Sequence, residues 1–178
     1  ADPDLDELGI DQARRLGAAL GHEAGPAVDR IVTSPLARTR QTAAAVAAAT
    51  GAAVTVDERF VELDYGEWDQ RPLADVAADE WAAWRADVAF APPGGESLAE
   101  LGRRVRSGLD DLAEEARDRT IVVVTHVSPI KAAVAWAVGG TDEMAWRMFV
   151  APASITRIAT SVGAPSLHTF NDCSHLTG

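Results

Sequence analysis

Apolar and polar residues alternate between two periods along this chain. Over residues 6–21, Leu8, Leu16 and Leu20 recur at helical spacing, with Asp6 placed as an N-cap. "DRIVT" (29–33) reads as a short buried strand running into "SPLARTRQTAAAVAAATG" (34–51), a helix with Ser34 as N-cap, Pro35 at its first position and Gly51 just past its end. "AVTVD" (53–57) is the next strand, and residues 58–96 are irregular, tryptophan-rich and closed by the turn "APPGGE". Ser97 and Glu100 form a capping box for a helix reaching about Arg117. "TIVVVT" (120–125) is apolar on both faces, as a central parallel strand is. A helix capped by Ser128, with Pro129 at its first position, follows, and "ASITRIAT" and "SLHTFN" close the chain as strands joined by "SVGAP".

Strands that alternate with helices predict an α/β fold: a three-layer sandwich with a mostly parallel central sheet flanked by helices. At 178 residues the chain suits a single domain spanning 1–178, with a lid-like segment at about 68–96. A chain of this size buries roughly 70% of its unfolded surface and needs no staples.

Charge and cysteine usage narrow the partners. The formal net charge is −11, and 15 of the 16 basic residues are arginine. No dense basic stripe is present to neutralise phosphates, which argues against a nucleic-acid partner. Single arginines can still grip a small anion through their planar donor fork. The one cysteine, Cys173, excludes an internal disulfide framework and suits a reducing cytoplasm. No apolar run approaches the ~20 residues of a membrane span, so no membrane association is expected. A homodimer is admitted but not specified.

Two junctions share one design: an apolar strand, then Ser-Pro at the start of a helix, in "IVTSPLAR" and "VVVTHVSP". In a parallel sheet both junctions fall at the carboxyl ends of strands, where open α/β folds bind ligands. Helix N-termini there offer unpaired N–H groups to an anion. Arg38 lies one turn into the first helix, and His126 stands immediately before the second. A polar ring unpaired inside the sheet would cost roughly 2–7 kcal/mol. Just past the strand it escapes that cost and is still held in place. Taken singly, His126 reads as a hydrogen-bonded structural residue, Arg38 as solvated or salt-bridged, Glu62 of "VELDYGEWD" as surface, and "PPGGES" as a turn with a cap. It is their joint occurrence that points to a site.

Five segments together resemble the histidine phosphatase superfamily, with its phosphoglycerate-mutase-like fold: "LDELGIDQA" (5–13), "SPLARTRQTA" (34–43), "FVELDYGEWD" (60–69), "PPGGES" (92–97) and "VVVTHVSPIK" (122–131). The closing "FNDCSHL" with "HVSPIK" is most similar to the acid-phosphatase domain of actinobacterial bifunctional ribonuclease H/acid phosphatase, and next to the α-ribazole phosphatases. The resemblance implies phosphoryl transfer to a histidine and then to water. It implies that Arg38 and His126 bind phosphate, that Ser128 at the helix start contacts substrate, and that Glu62 is the acid and base. It implies no cofactor and a small phosphorylated metabolite as substrate, and no metal is expected because the 4 histidines and the carboxylates show no ligand spacing such as H-x-x-x-H. Phosphoryl transfer is mainly positioning and charge stabilisation, which suits cations and helix ends, and a glutamate in a partly dry pocket can hold the proton an acid needs.

One departure is plain. The family's Arg-His-Gly motif, which ends its first strand and carries the nucleophilic histidine, is absent from residues 1–178. His22, His168 and His175 do not fit its place. The expectation is that the first strand is missing from the sequence in hand, and that the native polypeptide or another chain segment supplies a strand ending in histidine. The 64 positions between Glu62 and His126 are few for a mutase and favour a compact phosphatase. Two rival readings remain: a non-catalytic phosphate-binding or regulatory relative, and a phosphoglycerate mutase. Trp68, Trp81, Trp84 and Phe90 either shape substrate choice in the lid or pack it against the core.

Overall fold

Three short strands set the frame of this computed structural model, which describes residues 1–22 and 26–177. In order along the chain the elements are α1 (Glu7–Leu20), β1 (Arg30–Thr33), α2 (Ala37–Thr50), β2 (Ala53–Val56), α3 (Ala78–Ala86), α4 (Leu98–Glu115), β3 (Ile121–Val124), α5 (Val127–Ala137), β4 (Ile155–Ala159) and β5 (Ser166–Asp172). β1 lies between β2 and β3 and is parallel to both, with Thr33 opposite Val56 on one side and Val124 on the other. β4 and β5 form a separate antiparallel pair.

The period of two along the strands divides the core. Ile31, Val122 and Val124 meet Leu16 of α1 and Ala43 and Val46 of α2 on one face. Val32, Ile121 and Val123 meet Leu101, Val105 and Leu112 of α4 and Ala132 of α5 on the other. Each large apolar side chain so buried stabilises the fold by about 1.5–3 kcal/mol. The result is the expected α/β architecture, a parallel sheet between helical layers.

Local signals behaved unevenly. Asp6 accepts from Gly9 N as the α1 cap, the Ser97–Glu100 capping box closes both ways, and Gly51 ends α2 in the left-handed region at φ 74°. Four expectations need correction. First, α2 begins at Ala37 with Leu36 as its cap residue, because the Ser34 side chain is used elsewhere. Second, α5 begins at Val127 with His126 as its cap residue, so Ser128 and Pro129 lie within its first turn and Ser128 does not cap it. Third, Leu8 is exposed rather than on the buried stripe of α1. Fourth, residues 58–96 are not irregular throughout: they contain α3 and three 3-10 turns. The α4 helix also stops at Glu115, just short of the expected Arg117.

The aromatic residues of this segment pack inward. Trp84 stands edge-on to Trp146, Trp81, Trp68 and Tyr65, with ring centroids 4.7–6.0 Å apart. Trp68 and Trp84 are buried, and Trp81 and Phe90 pack against the same cluster. The segment is fastened to the core by its rings.

β3 is not central in this sheet. Among the described residues it pairs with β1 alone, and its other edge faces β4 across a trough. Residues 120–125 form one wall of the trough and 155–159 the other, enclosing two hollows of about 660 and 580 Å³.

The close approach of α1 and α2 rests on Gly17. A β-carbon there would lie 2.7 Å from the Ala45 carbonyl oxygen, a backbone atom that cannot swing aside. Gly17→Ala is expected to cost about 1–3 kcal/mol through forced helix separation. Urea denaturation measures this, and a midpoint equal to wild type would show that the two helices part freely.

Candidate active site

The carboxyl ends of β1 and β3 lie side by side, and the residues that follow them meet. Ser34 N donates to Val124 O at 3.0 Å, which continues the parallel pairing by one residue. The Ser34 hydroxyl and His126 Nε2 then share a hydrogen bond of 2.7 Å. Ser34 is fully buried and His126 is 7% exposed. A hydroxyl that looks like a helix cap in sequence instead fixes the imidazole.

Arg38, in the first turn of α2, lines the same hollow as His126. Its guanidinium lies 3.8 Å from the Asp2 carboxylate and donates to Ala1 O at 3.4 Å. Asp2 Oδ1 also accepts from Ala37 N at 2.7 Å. The start of α2 therefore holds an anion in this structure, the chain's own carboxylate, as the exposed N–H groups of a helix start favour.

Glu62 approaches from the loop after β2. Its Oε1 accepts from Leu63 N at 2.8 Å and from Ser128 N at 3.2 Å, so the start of α5 grips the carboxylate two residues beyond His126. Ser128 is thus joined to Glu62 through its backbone, and its side chain bonds the half-buried Tyr65. Burial pushes the Tyr65 hydroxyl pKa up, and the Glu62 charge adds to the shift.

Two supports for Glu62 escape motif reading. Arg104 of α4 donates to the carbonyls of Arg59 and Val61, each at 2.8 Å, and of Glu62 at 3.2 Å, and pairs with both carboxylate oxygens of Glu96 at 2.7 Å. Thr125 Oγ1 donates to Phe60 O at 2.6 Å. The "PPGGES" turn braces the same loop from outside: Glu67 N donates to Pro93 O at 2.9 Å and Glu96 N to Asp64 O at 2.8 Å. Gly66 sits there at φ 52°, where a β-carbon would fall 2.3 Å from Pro93 O.

The electrostatics keep His126 neutral. Burial, then the Arg38 and Arg104 charges, push its pKa down to about 4, with Asp2 opposing. The rim therefore carries cationic arginines around an uncharged imidazole, a set that can bind an anion and take up a proton with it. Among the described residues, no group of three or more His, Cys, Asp or Glu side chains is placed to hold a metal ion, and no helix is long and apolar enough to cross a membrane.

Two outcomes follow from this geometry. An unfolded imidazole takes its proton near 6.5 and folded His126 only near 4. Between these values the unfolded chain binds more protons, so stability drops as pH falls from 6.5 to 4, by about 2–3 kcal/mol in all. The wild-type curve is expected to lose that much relative to His126→Gln in urea titrations; parallel curves would contradict the buried neutral ring. Arg104→Met leaves three carbonyls and a half-buried carboxylate without their donor, and is expected to cost about 2–4 kcal/mol. Calorimetric melting within error of wild type would show that the clamp is dispensable.

Comparison with known proteins agrees with this arrangement. The sequence profile of the histidine phosphatase superfamily (branch 1) matches residues 1–173. The bifunctional protein Rv2228c of Mycobacterium tuberculosis is 34% identical over 180 residues, covering 98% of this chain and 48% of its own length. Phosphoserine phosphatase 1 of Hydrogenobacter thermophilus is 35% identical over 137 residues, 74% of this chain and 63% of its own. The chain thus spans about half to two thirds of these curated relatives. Among solved structures, mycobacterial glucosyl-3-phosphoglycerate phosphatase with VO3 superposes with a TM-score of 0.82 at 29% identity, over 96% of this chain and 88% of that one. A His-to-Ala mutant of Entamoeba histolytica phosphoserine phosphatase in complex with phosphoserine gives 0.87 at 25% identity, over 99% and 88%. A buried histidine and an arginine at two level strand ends, a glutamate held beside them, and these likenesses along nearly all its length lead to one conclusion: the chain belongs to the histidine phosphatase superfamily.

Proposed function

We propose that this chain forms the phosphate-binding and proton-transfer side of a metal-independent phosphomonoesterase that acts on small phosphorylated metabolites in the cytoplasm through a phosphohistidine. The observation that carries this reading is the convergence of Arg38, His126 and Glu62: two line one hollow, and the third is bonded to the residue two places after His126. Arg38, the start of α2 and a His126 that takes up a proton with its ligand supply positive charge for the equatorial oxygens of a transferring phosphoryl group. Phosphatases among the relatives and structural neighbours support the same class.

In this reading the nucleophile stands on a strand seated in the trough between β3 and β4. Both facing edges offer backbone N–H and C=O groups that such a strand would satisfy. A parallel strand beside β3 ends level with Val124, which brings a histidine at its tip next to His126. Its imidazole nitrogen attacks phosphorus, the bond to the leaving oxygen breaks, and the Glu62 carboxyl gives that oxygen its proton. Glu62, now a carboxylate, takes a proton from water as the water oxygen displaces the imidazole nitrogen. Inorganic phosphate leaves, and Glu62 is protonated again.

The test is hydrolysis of p-nitrophenyl phosphate by the native polypeptide that contains this chain, in EDTA. Activity is expected there, and Arg38→Ala and His126→Ala should each lower kcat/KM by about 10²–10³, as loss of an oxyanion donor does. Glu62→Gln should spare p-nitrophenyl phosphate and impair an alkyl phosphate at least tenfold more, because only the poor leaving group needs the proton. Inactivity in EDTA, full activity in both variants, or equal losses for the two leaving groups would each overturn part of the mechanism. Isomerisation of 3-phosphoglycerate faster than its hydrolysis would favour the mutase reading.

A further inference from the structure

The hydroxyl of Ser34 has one hydrogen to give, and its surroundings settle where that hydrogen goes. The Ser34 backbone is already engaged: its N–H donates to Val124 O at 3.0 Å, and its carbonyl accepts from the Thr33 and Thr39 hydroxyls, each at 3.1 Å. Its Oγ lies 2.7 Å from His126 Nε2 and accepts from Leu36 N at 3.4 Å. A backbone N–H cannot accept, so among the described residues Nε2 is the acceptor within reach of the Ser34 hydrogen. Ser34 is 0% exposed, so solvent cannot take the place of Nε2. The reverse arrangement, with Nε2–H donating to Oγ, would leave a buried hydroxyl without an acceptor. The hydroxyl therefore donates and Nε2 accepts.

Burial first, then the Arg38 and Arg104 charges, keep the His126 pKa down at about 4, so the ring is neutral at neutral pH and carries one proton. With Nε2 accepting, that proton lies on Nδ1. Nδ1 has no partner among the described residues: His126 stands in the cap position of α5, yet its side chain bonds no helix N–H. Nor is it sealed in, since the buried side-chain atoms that lack a partner there are the Trp84 and Trp146 indole nitrogens, Ser154 Oγ and His175 Nδ1. The ring lines the hollow that Arg38 also lines.

We propose that Ser34 is a positioning residue that holds His126 in its Nδ1–H form, so that the ring meets an anion in the hollow as a hydrogen-bond donor and has no free electron pair with which to attack it. The inference rests on the phosphatase reading above for the identity of that anion, a phosphoryl group; the tautomer does not depend on it. Nδ1–H and the Arg38 guanidinium then donate to oxygens of the same group without a proton having to move first. A ring that turned its bare nitrogen to the hollow would repel those oxygens and could take phosphorus onto itself. Ser34 thus separates two histidines by role: His126 donates, and the histidine on the added strand attacks. When bound phosphate draws a second proton from solvent onto the ring, that proton goes to Nε2 and the Ser34 hydroxyl turns to accept it.

Proton–nitrogen correlation spectra of isotope-labelled imidazole rings tell the two tautomers apart, and His126→Gln assigns the signals. In the native polypeptide at neutral pH, His126 is expected in the Nδ1–H form, the minority tautomer of a free imidazole. Saturating inorganic phosphate should move the Nδ1-bound proton downfield, as a new hydrogen bond to oxygen does. In Ser34→Ala the Nε2–H form should gain population, and kcat/KM for p-nitrophenyl phosphate should fall by about 10–100-fold, the range seen when the outer partner of a functional histidine is lost. The wild-type spectrum decides the tautomer without any variant, so a Ser34→Ala chain that misfolds leaves the test standing. Failure of the phosphatase reading is recognised separately, as no hydrolysis of p-nitrophenyl phosphate, because the tautomer is read without substrate. Wild-type His126 in the Nε2–H form, or an Nδ1-bound proton unmoved by saturating phosphate, would overturn the assignment. So would phosphate found covalently on His126 by mass spectrometry during turnover.

Discussion

β1 and β3 run parallel in level register, from Arg30 opposite Ile121 to Thr33 opposite Val124, and the rim of the site depends on that pairing. Because the two strands stop together, the residue after β1 and the second residue after β3 come within a hydrogen bond of each other. Ser34 is buried there and its hydroxyl reaches His126 Nε2. A shift of one residue would send Ser34 to the other face of the sheet and leave the imidazole buried without a partner. The apolar packing on both faces of the sheet holds the register, and the register holds the site.

Charge at the rim is arranged around that fixed ring. Arg38 at the start of α2 and Arg104 from α4 both act on a His126 that burial already keeps neutral. Asp2 occupies the start of α2, which shows the local field to be one that favours anions. Glu62 is held in turn by the first turn of α5 and by a loop clamped from inside by Arg104 and from outside by the "PPGGES" turn. The carboxylate sits where the helix start can bond it, while Arg104 spends its donors on the backbone beneath it. Rigid support of this kind lets a few groups act on a small dianion without reorganising.

What could be read from the sequence is what the chain settles locally. The Ser97–Glu100 capping box, the Asp6 cap and the Gly51 terminus involve partners within four residues, and each formed as its spacing implied. Arg38, Glu62 and His126 were legible because strand-to-helix junctions advertise themselves and the surrounding motifs resemble a known family. Ser34 and Ser128 were legible as polar but not in role: a hydroxyl before a helix can cap it or reach across the sheet, and only the parallel register decides between them. Arg104 gave no signal, since the three carbonyls it serves lie 42–45 positions away. The tryptophans could shape substrate choice in the lid or pack it against the core, and the packing of Trp81 and Trp84 against Trp146, far along the chain, is a contact that no local pattern states. That β3 borders a trough depends on which strands pair, which no local pattern states.

The claim beneath all of this is that a neutral, buried His126 and a cationic Arg38 together form an anion site at the ends of β1 and β3. The direct measurement follows the ring resonances of the chain's 4 histidines by NMR as pH is varied, with and without inorganic phosphate. Bound phosphate is predicted to raise the titration midpoint of His126 well above about 4, and Arg38→Ala to abolish that rise. Saturating phosphate that leaves the His126 midpoint where it was, or moves it equally in Arg38→Ala, would contradict the account.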